Sequence, residues 1–173
     1  DNAIEVIINY LIKKNHTHIA YINISEKYNF ANERKSSFLK NLKLNKIYFN
    51  PNYYSSVKLE EPENSFEVIK KMLTKNKKIS AIICSTEFSA LSAIKACNDL
   101  NYKIGKDISI ITFDGALVRD LSSPPITAVS FPVKELGKRA INILLNKNKN
   151  KNLPINYLAK TEIIERGSVH IVN

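Results

Sequence analysis

Two runs, SAIICS (Ser80 to Ser85) and DISIITFDG (Asp107 to Gly115), with TEFSALSAIKACNDL (Thr86 to Leu100) between them, decide the fold. Each run is continuously apolar over a strand's length and bounded by polar residues, the pattern of a strand covered on both faces. The segment between them carries Leu91 and Ile94 among small residues such as Ala90, which predicts a helix over Phe88 to Leu100. Strand, helix and strand in that order form a right-handed crossover and place the two strands parallel.

Working outward, the unit repeats. IAYINI, Ile19 to Ile24, is a third strand candidate, and Lys46-Ile47-Tyr48-Phe49 a fourth. Helices are predicted at the start, with Ile4, Val6, Ile7, Ile8, Leu11 and Ile12 on a broad stripe and Asp1 or Asn2 as cap; over Asn32 to Leu42; and over Ser65 to Thr74, capped by Asn64, with Phe66, Ile69, Met72 and Leu73 inward. Residues 50 to 63 read as a loop with a short strand at Val57 to Leu59. The pattern breaks at Ser122-Ser123-Pro124-Pro125, followed by a strand (Ile126 to Phe131), Pro132, a helix (Val133 to Leu145), the solvated run NKNKNKN and a last strand at Glu162 to Ile164. The fold class is α/β, a three-layer parallel sheet with helices on both faces.

With 173 residues, 44% hydrophobic and 24% charged, the chain can bury a core without disulfides or metals. Its formal charge of +10 comes from 22 Lys against 4 Arg, a compositional skew rather than a nucleic-acid surface. Cys84 and Cys97 lie in apolar stretches as free thiols, which fits a reducing cytoplasm. No stretch is long enough to span a bilayer. The chain opens at Asp1 without Met and reads as a piece of something longer.

Ligands of open parallel sheets bind outside the carboxyl ends of the strands. Asp114, directly after a buried strand and beside Gly115, is the sharpest candidate, able to accept from sugar hydroxyls or ring N–H groups, with a simple turn-starting Asp as the alternative. Ser25, Glu26 and Ser85-Thr86-Glu87 follow other strands. Tyr53-Tyr54 can stack on a ring or pack beneath its loop. No catalytic grouping emerges: His16 and His18 lack a third metal ligand, neither cysteine has a base patterned beside it, and no phosphate-binding glycine motif is present. The chain is read as no enzyme, with no cofactor and no metal.

The stretch from Ile82 to Pro132 and the tail TEIIERGSV resemble the effector-binding core of LacI/GalR-family transcription regulators. The family runs through a helix opening "M-A-L-G-A", a "D-I-S-V-V-G-F-D" strand, a "P-P-L-T-T-V-x-Q-P" crossover, an "L-G-x-x-A" helix and a "T-x-L-V-x-R-x-S" tail. LIKKNHTHIAYI and the segment from Arg34 to Phe38 also resemble family segments. The resemblance implies a periplasmic-binding-protein-like fold of type I, mainly its C-terminal subdomain. It assigns residues 1–123 and 151–173 to that subdomain and 124–150 to a strand and helix of the N-terminal one, with the DNA-binding part outside this chain. It implies ligand contacts at Asp1, Arg34, Thr86 and Asp114, and a homodimer through Phe66, Leu91 and Ile94. Departures are Thr86 for a longer amide, Ser37 for Gly, Gly115 for a polar residue, Phe131 for Gln, and Glu60 where a stacking aromatic is usual.

The implied function is sensing of a small effector (a sugar, sugar phosphate or purine) by a cytoplasmic regulator that meets operator DNA only through a DNA-binding domain outside this chain, with no membrane partner. The alternative is an extracytoplasmic sugar-binding protein of a transporter. The helix at Val133 to Leu145 carries an apolar stripe that cannot stay in water, so it is expected to pack on a neighbouring chain or to fold back on its own subdomain.

Overall fold

The computed structural model describes residues 2–58, 64–114, 121–146 and 158–173. Asp1, Glu60 and Gly115 lie outside them. The elements are α1 (Asn2–Lys13), β1 (Ile19–Ile24), α2 (Asn29–Leu44), a 3-10 turn (Pro51–Tyr53), β2 (Tyr54–Val57), α3 (Asn64–Lys75), β3 (Ala81–Cys84), α4 (Glu87–Asp99), β4 (Ser109–Phe113), β5 (Thr127–Ser130), α5 (Val133–Asn146) and β6 (Glu162–Ile164).

The six strands form one sheet in the order β2-β1-β3-β4-β5-β6. All neighbours are parallel except β6, which returns antiparallel along β5. Alternation along each strand sends side chains to two cores. Ala20, Ile22, Ile82, Cys84 and Ile110 meet the inner stripes of α3 and α4. Ile19, Tyr21, Ile83, Ile111 and Phe113 meet α1 and α2 through Ile4, Ile8, Leu11 and Phe38. Three layers result, as the apolar runs dictate. Both thiols are fully buried, and burial raises their pKa values, that of Cys97 to about 12, so they pack as small hydrophobes.

Three expectations are corrected. Residues 46–49 form no strand: Lys46 takes a left-handed φ of 56°, the N–H of Ile47 donates to Leu42 O at 2.9 Å, and Asn50 caps the 3-10 turn, so the segment is spent in closing α2 and opening the turn. The edge strand lies instead at Tyr54–Val57, with Tyr54 opposite Tyr21 and Val57 opposite Ile24. The strand after Pro125 was assigned with 124–150 to another subdomain. It joins this sheet, Ile111 opposite Thr127 and Phe113 opposite Val129, because its fully buried Ala128 and Val129 fit the core left open beside β4.

The C-terminal tail locks these strands. Buried Ser168 receives the N–H of Thr127 at 2.8 Å, donates its hydroxyl to Ile110 O at 2.6 Å and accepts the N–H of Ile110 at its carbonyl at 3.0 Å. Gly105, at φ 78°, lies where a Cβ would stand 2.1 Å from Gly167 O, so only glycine permits this approach. At the amino end of the sheet His16 is fully buried. Its Nε2–H donates to His170 O at 3.0 Å, which leaves Nδ1 to accept the Ser80 hydroxyl at 2.9 Å. His18, two residues on, is exposed, so the two rings diverge rather than pair on a metal.

Helix α5 does not fold back on the sheet. Val133, Ile141, Leu144 and Leu145 are 57% to 73% exposed, and only Leu136 and Ile143 among its large apolar residues are half-buried.

A candidate ligand-binding edge

The winding of the order β2-β1-β3 reverses between β1 and β3, the kind of switch point at whose carboxyl ends open parallel sheets place their ligands. Beneath it lies a buried polar hub. Asn23, at 0% exposure, donates its Nδ2 to Ala31 O at 2.9 Å and to the Tyr54 hydroxyl at 3.2 Å. Its Oδ1 faces the Tyr21 hydroxyl at 3.0 Å, the Ser85 hydroxyl at 2.9 Å and the N–H of Ile24 at 2.9 Å. Tyr21 and Ser85 are also 2.8 Å apart. Two hydroxyl protons serve three oxygen contacts, so the hub is a shared relay whose members are all satisfied.

The hub continues to the surface. The Tyr54 hydroxyl donates to Glu26 Oε1 at 3.0 Å, and Lys35 pairs with the same oxygen at 2.7 Å. Lys35 holds the Glu26 carboxyl below its usual range, while burial pushes Tyr54 up to about 12. Through Ala31 O the hub fixes the first turn of α2 against β1, and α2 then carries Arg34 over the strand ends.

The Arg34 guanidinium lies 3.9 Å from the centroid of the Phe113 ring and 5.4 Å from that of Phe30. Phe113 in turn stacks on Phe131, ring planes 13° apart, and Phe30 on Tyr28. A row of flat groups thus runs along the carboxyl edge, with Phe30 46% exposed. Asp114 follows Phe113 at φ 64°, a left-handed conformation that Asp tolerates better than most residues. It is open to solvent. Partial desolvation and then the Glu87 carboxylate raise its pKa, and Arg34 opposes them. Burial lowers that of Arg34 against the pull of Tyr21 and Asp114.

Of the residues singled out by sequence, Arg34 and Asp114 therefore sit at one edge and feel each other's charge. Thr86 follows β3 and is the N-cap of α4: its hydroxyl accepts the N–H of Ser89 at 3.1 Å, and its own N–H donates to Ser89 Oγ at 3.2 Å, a capping box that leaves the hydroxyl little capacity for a ligand. Asp1 is outside the described residues. Tyr53 and Tyr54 both pack, Tyr54 into the hub. Phe30, Phe113, Tyr21 and Asn23 were not foreseen; the one signal was an amide inside the otherwise apolar run IAYINI. A groove between α1 and α2, lined by Glu5, Ser36 and Lys40, includes none of Arg34, Thr86 and Asp114. Among the described residues no group of acidic, histidine and cysteine side chains could hold a metal, and no helix is long and apolar enough to cross a membrane.

Residues 8–169 match the periplasmic binding protein-like domain. The chain belongs to that family. This periplasmic binding protein-like domain is 32% identical over 142 residues to the HTH-type transcriptional repressor PurR of Histophilus somni, across 82% of this chain and 42% of the relative. It is 30% identical over 164 residues to the HTH-type transcriptional regulator RegA of Clostridium saccharobutylicum, across 92% of this chain and 48% of the relative. The chain thus spans less than half the length of these curated relatives. Its fold is that of a LacI family transcriptional regulator from Bifidobacterium animalis subsp. lactis, at TM-score 0.90 and 22% identity over 99% of this chain and 62% of the other. A sugar-binding LacI-family regulator from Escherichia coli complexed with phosphate superposes at TM-score 0.89 and 22% identity, over 99% and 61%.

Proposed function

We propose that this chain is the effector-sensing part of a LacI/GalR-type transcription regulator. The observation that carries the reading is the meeting of Arg34, Phe113 and Asp114 at the carboxyl edge of a periplasmic binding protein-like sheet. A small polar effector lies against that edge, with Asp114 accepting its hydroxyl or N–H groups and the Arg34 fork donating to its oxygens. Asp1 adds a further contact, while Thr86, held in the α4 cap, shapes the edge rather than gripping the effector. Closure of a cleft over the effector shifts the intact regulator between two operator affinities.

In the intact protein α5 belongs to the opposing subdomain, whose core covers its apolar stripe. Phe66, Leu91 and Ile94, half-buried on the outer side of α3 and α4, form a homodimer face. The regulator is cytoplasmic and performs no catalysis. The named relatives are transcription regulators, which supports this reading over a transporter's binding protein.

Thermal unfolding of the intact regulator against sugars, sugar phosphates and purines tests it. An effector at 100 times its Kd adds about 2.7 kcal/mol, and Asp114→Ala removes that gain. An effector that stabilises wild type and Asp114→Ala alike, or none in the panel, counts against the assignment.

A further inference from the structure

We propose a second binding site, at the opposite end of the sheet, for a small phosphoryl-bearing anion. The turns that enter β1, β2 and β3 enclose an opening of about 350 Å³ lined by Thr17, His18, Lys46, Tyr48, Tyr53 and Lys78. That size suits a metabolite-sized ligand. Among the described residues no carboxylate lines it, in contrast to the carboxyl edge with its Glu26, Glu87 and Asp114.

The opening is built rather than merely basic. Tyr53 is 8% exposed, so its ring is fixed in the core, yet its hydroxyl emerges into the opening, where its contact is His18 Nδ1 at 3.4 Å. A bond that long is readily exchanged for a charge-assisted one to an anion. The two lysines stand on hydrogen-bonded turns: the N–H of Lys46 donates to Lys43 O at 3.1 Å, and Lys78 lies inside the turn closed by Ile79 N–H to Asn76 O at 3.2 Å. Neither lysine has a carboxylate partner among the described residues. Two cations, a phenol and an imidazole facing one opening without a counter-charge form a donor set for a polyanion, and the exposed Tyr48 ring at the rim can cover a flat group attached to it.

Titration calorimetry of the full chain with pyrophosphate, at constant ionic strength, tests this. Saturable binding is expected, weakened at least about tenfold in Lys46→Ala/Lys78→Ala and also in Tyr53→Phe. The control Lys40→Ala/Lys43→Ala removes the same charge from α2 and is expected to bind as wild type. Absence of saturable heat at millimolar pyrophosphate overturns the site. So does unchanged binding in the Lys46/Lys78 variant, or an equal loss in both lysine pairs, which would make the attraction a property of net charge. Denaturation midpoints of the variants establish that each is folded.

Discussion

The guanidinium of Arg34 lies 3.9 Å above the ring of Phe113, joining the first turns of α2 to the end of β4 across the face of β1 and β3. The stack gives the charged group an apolar seat. Arg34→Ala should therefore cost about 1–2 kcal/mol, the range of a partly desolvated cation–π contact. Phe113→Ala, which empties a buried aromatic site, should cost about 3–5 kcal/mol. Urea unfolding of both variants checks the ordering; an Arg34 loss as large as that of Phe113 would refute it.

The hub around Asn23 predicts a large effect from a shape-preserving change. Asn23→Leu fills the space but leaves the Ala31 carbonyl and the Tyr21 and Ser85 hydroxyls short of partners, and should cost about 2–4 kcal/mol. Ser85→Ala removes one hydroxyl and should cost about 1 kcal/mol. Equilibrium unfolding reads both values, and near-neutrality of Asn23→Leu would show the hub to be dispensable.

His16 makes stability depend on pH. Its pKa is pushed from 6.5 down to about 4, chiefly by burial, so the unfolded chain binds a proton in a range where the folded one does not. Stability is full above pH 6.5 and falls as pH drops towards 4, by about 3 kcal/mol from this group at about 1.4 kcal/mol per pH unit. His170, shifted in the same direction by burial, adds to the slope. The difference in unfolding free energy between pH 7 and pH 4.5 should shrink in His16→Gln; an identical difference in both proteins would exclude the histidine as its source.

The outer face of α3 and α4 predicts an association defect separate from folding. Leu91 is half-buried, so Leu91→Lys should lower the unfolding free energy by no more than about 1–2 kcal/mol while shifting the proposed dimer to monomer in sedimentation equilibrium. A variant that stays dimeric would move the interface elsewhere.

The sequence by itself determined the layered α/β class, β1 to the residue and the helices to within a turn, because unbroken apolar runs and helical stripes are local patterns set by burial. Asp114 was a candidate from its place after a buried strand, Arg34 only through the family resemblance. It also carried the family, through motifs spread in order along the chain. Only the tertiary structure decided the rest. Whether residues 46–49 or 54–57 supply the edge strand turns on one left-handed residue and a cap, a difference of backbone conformation that composition does not show. The place of β5 was fixed by which sheet edge was open to it, a long-range pairing. The roles of Tyr21, Asn23 and Ser85 depend on strands 62 residues apart meeting at hydrogen-bond distance. Thr86 was drawn into a cap by Ser89, and Arg34 onto a ring 79 positions away in sequence, because a folded chain satisfies its polar groups with whichever partners packing brings near.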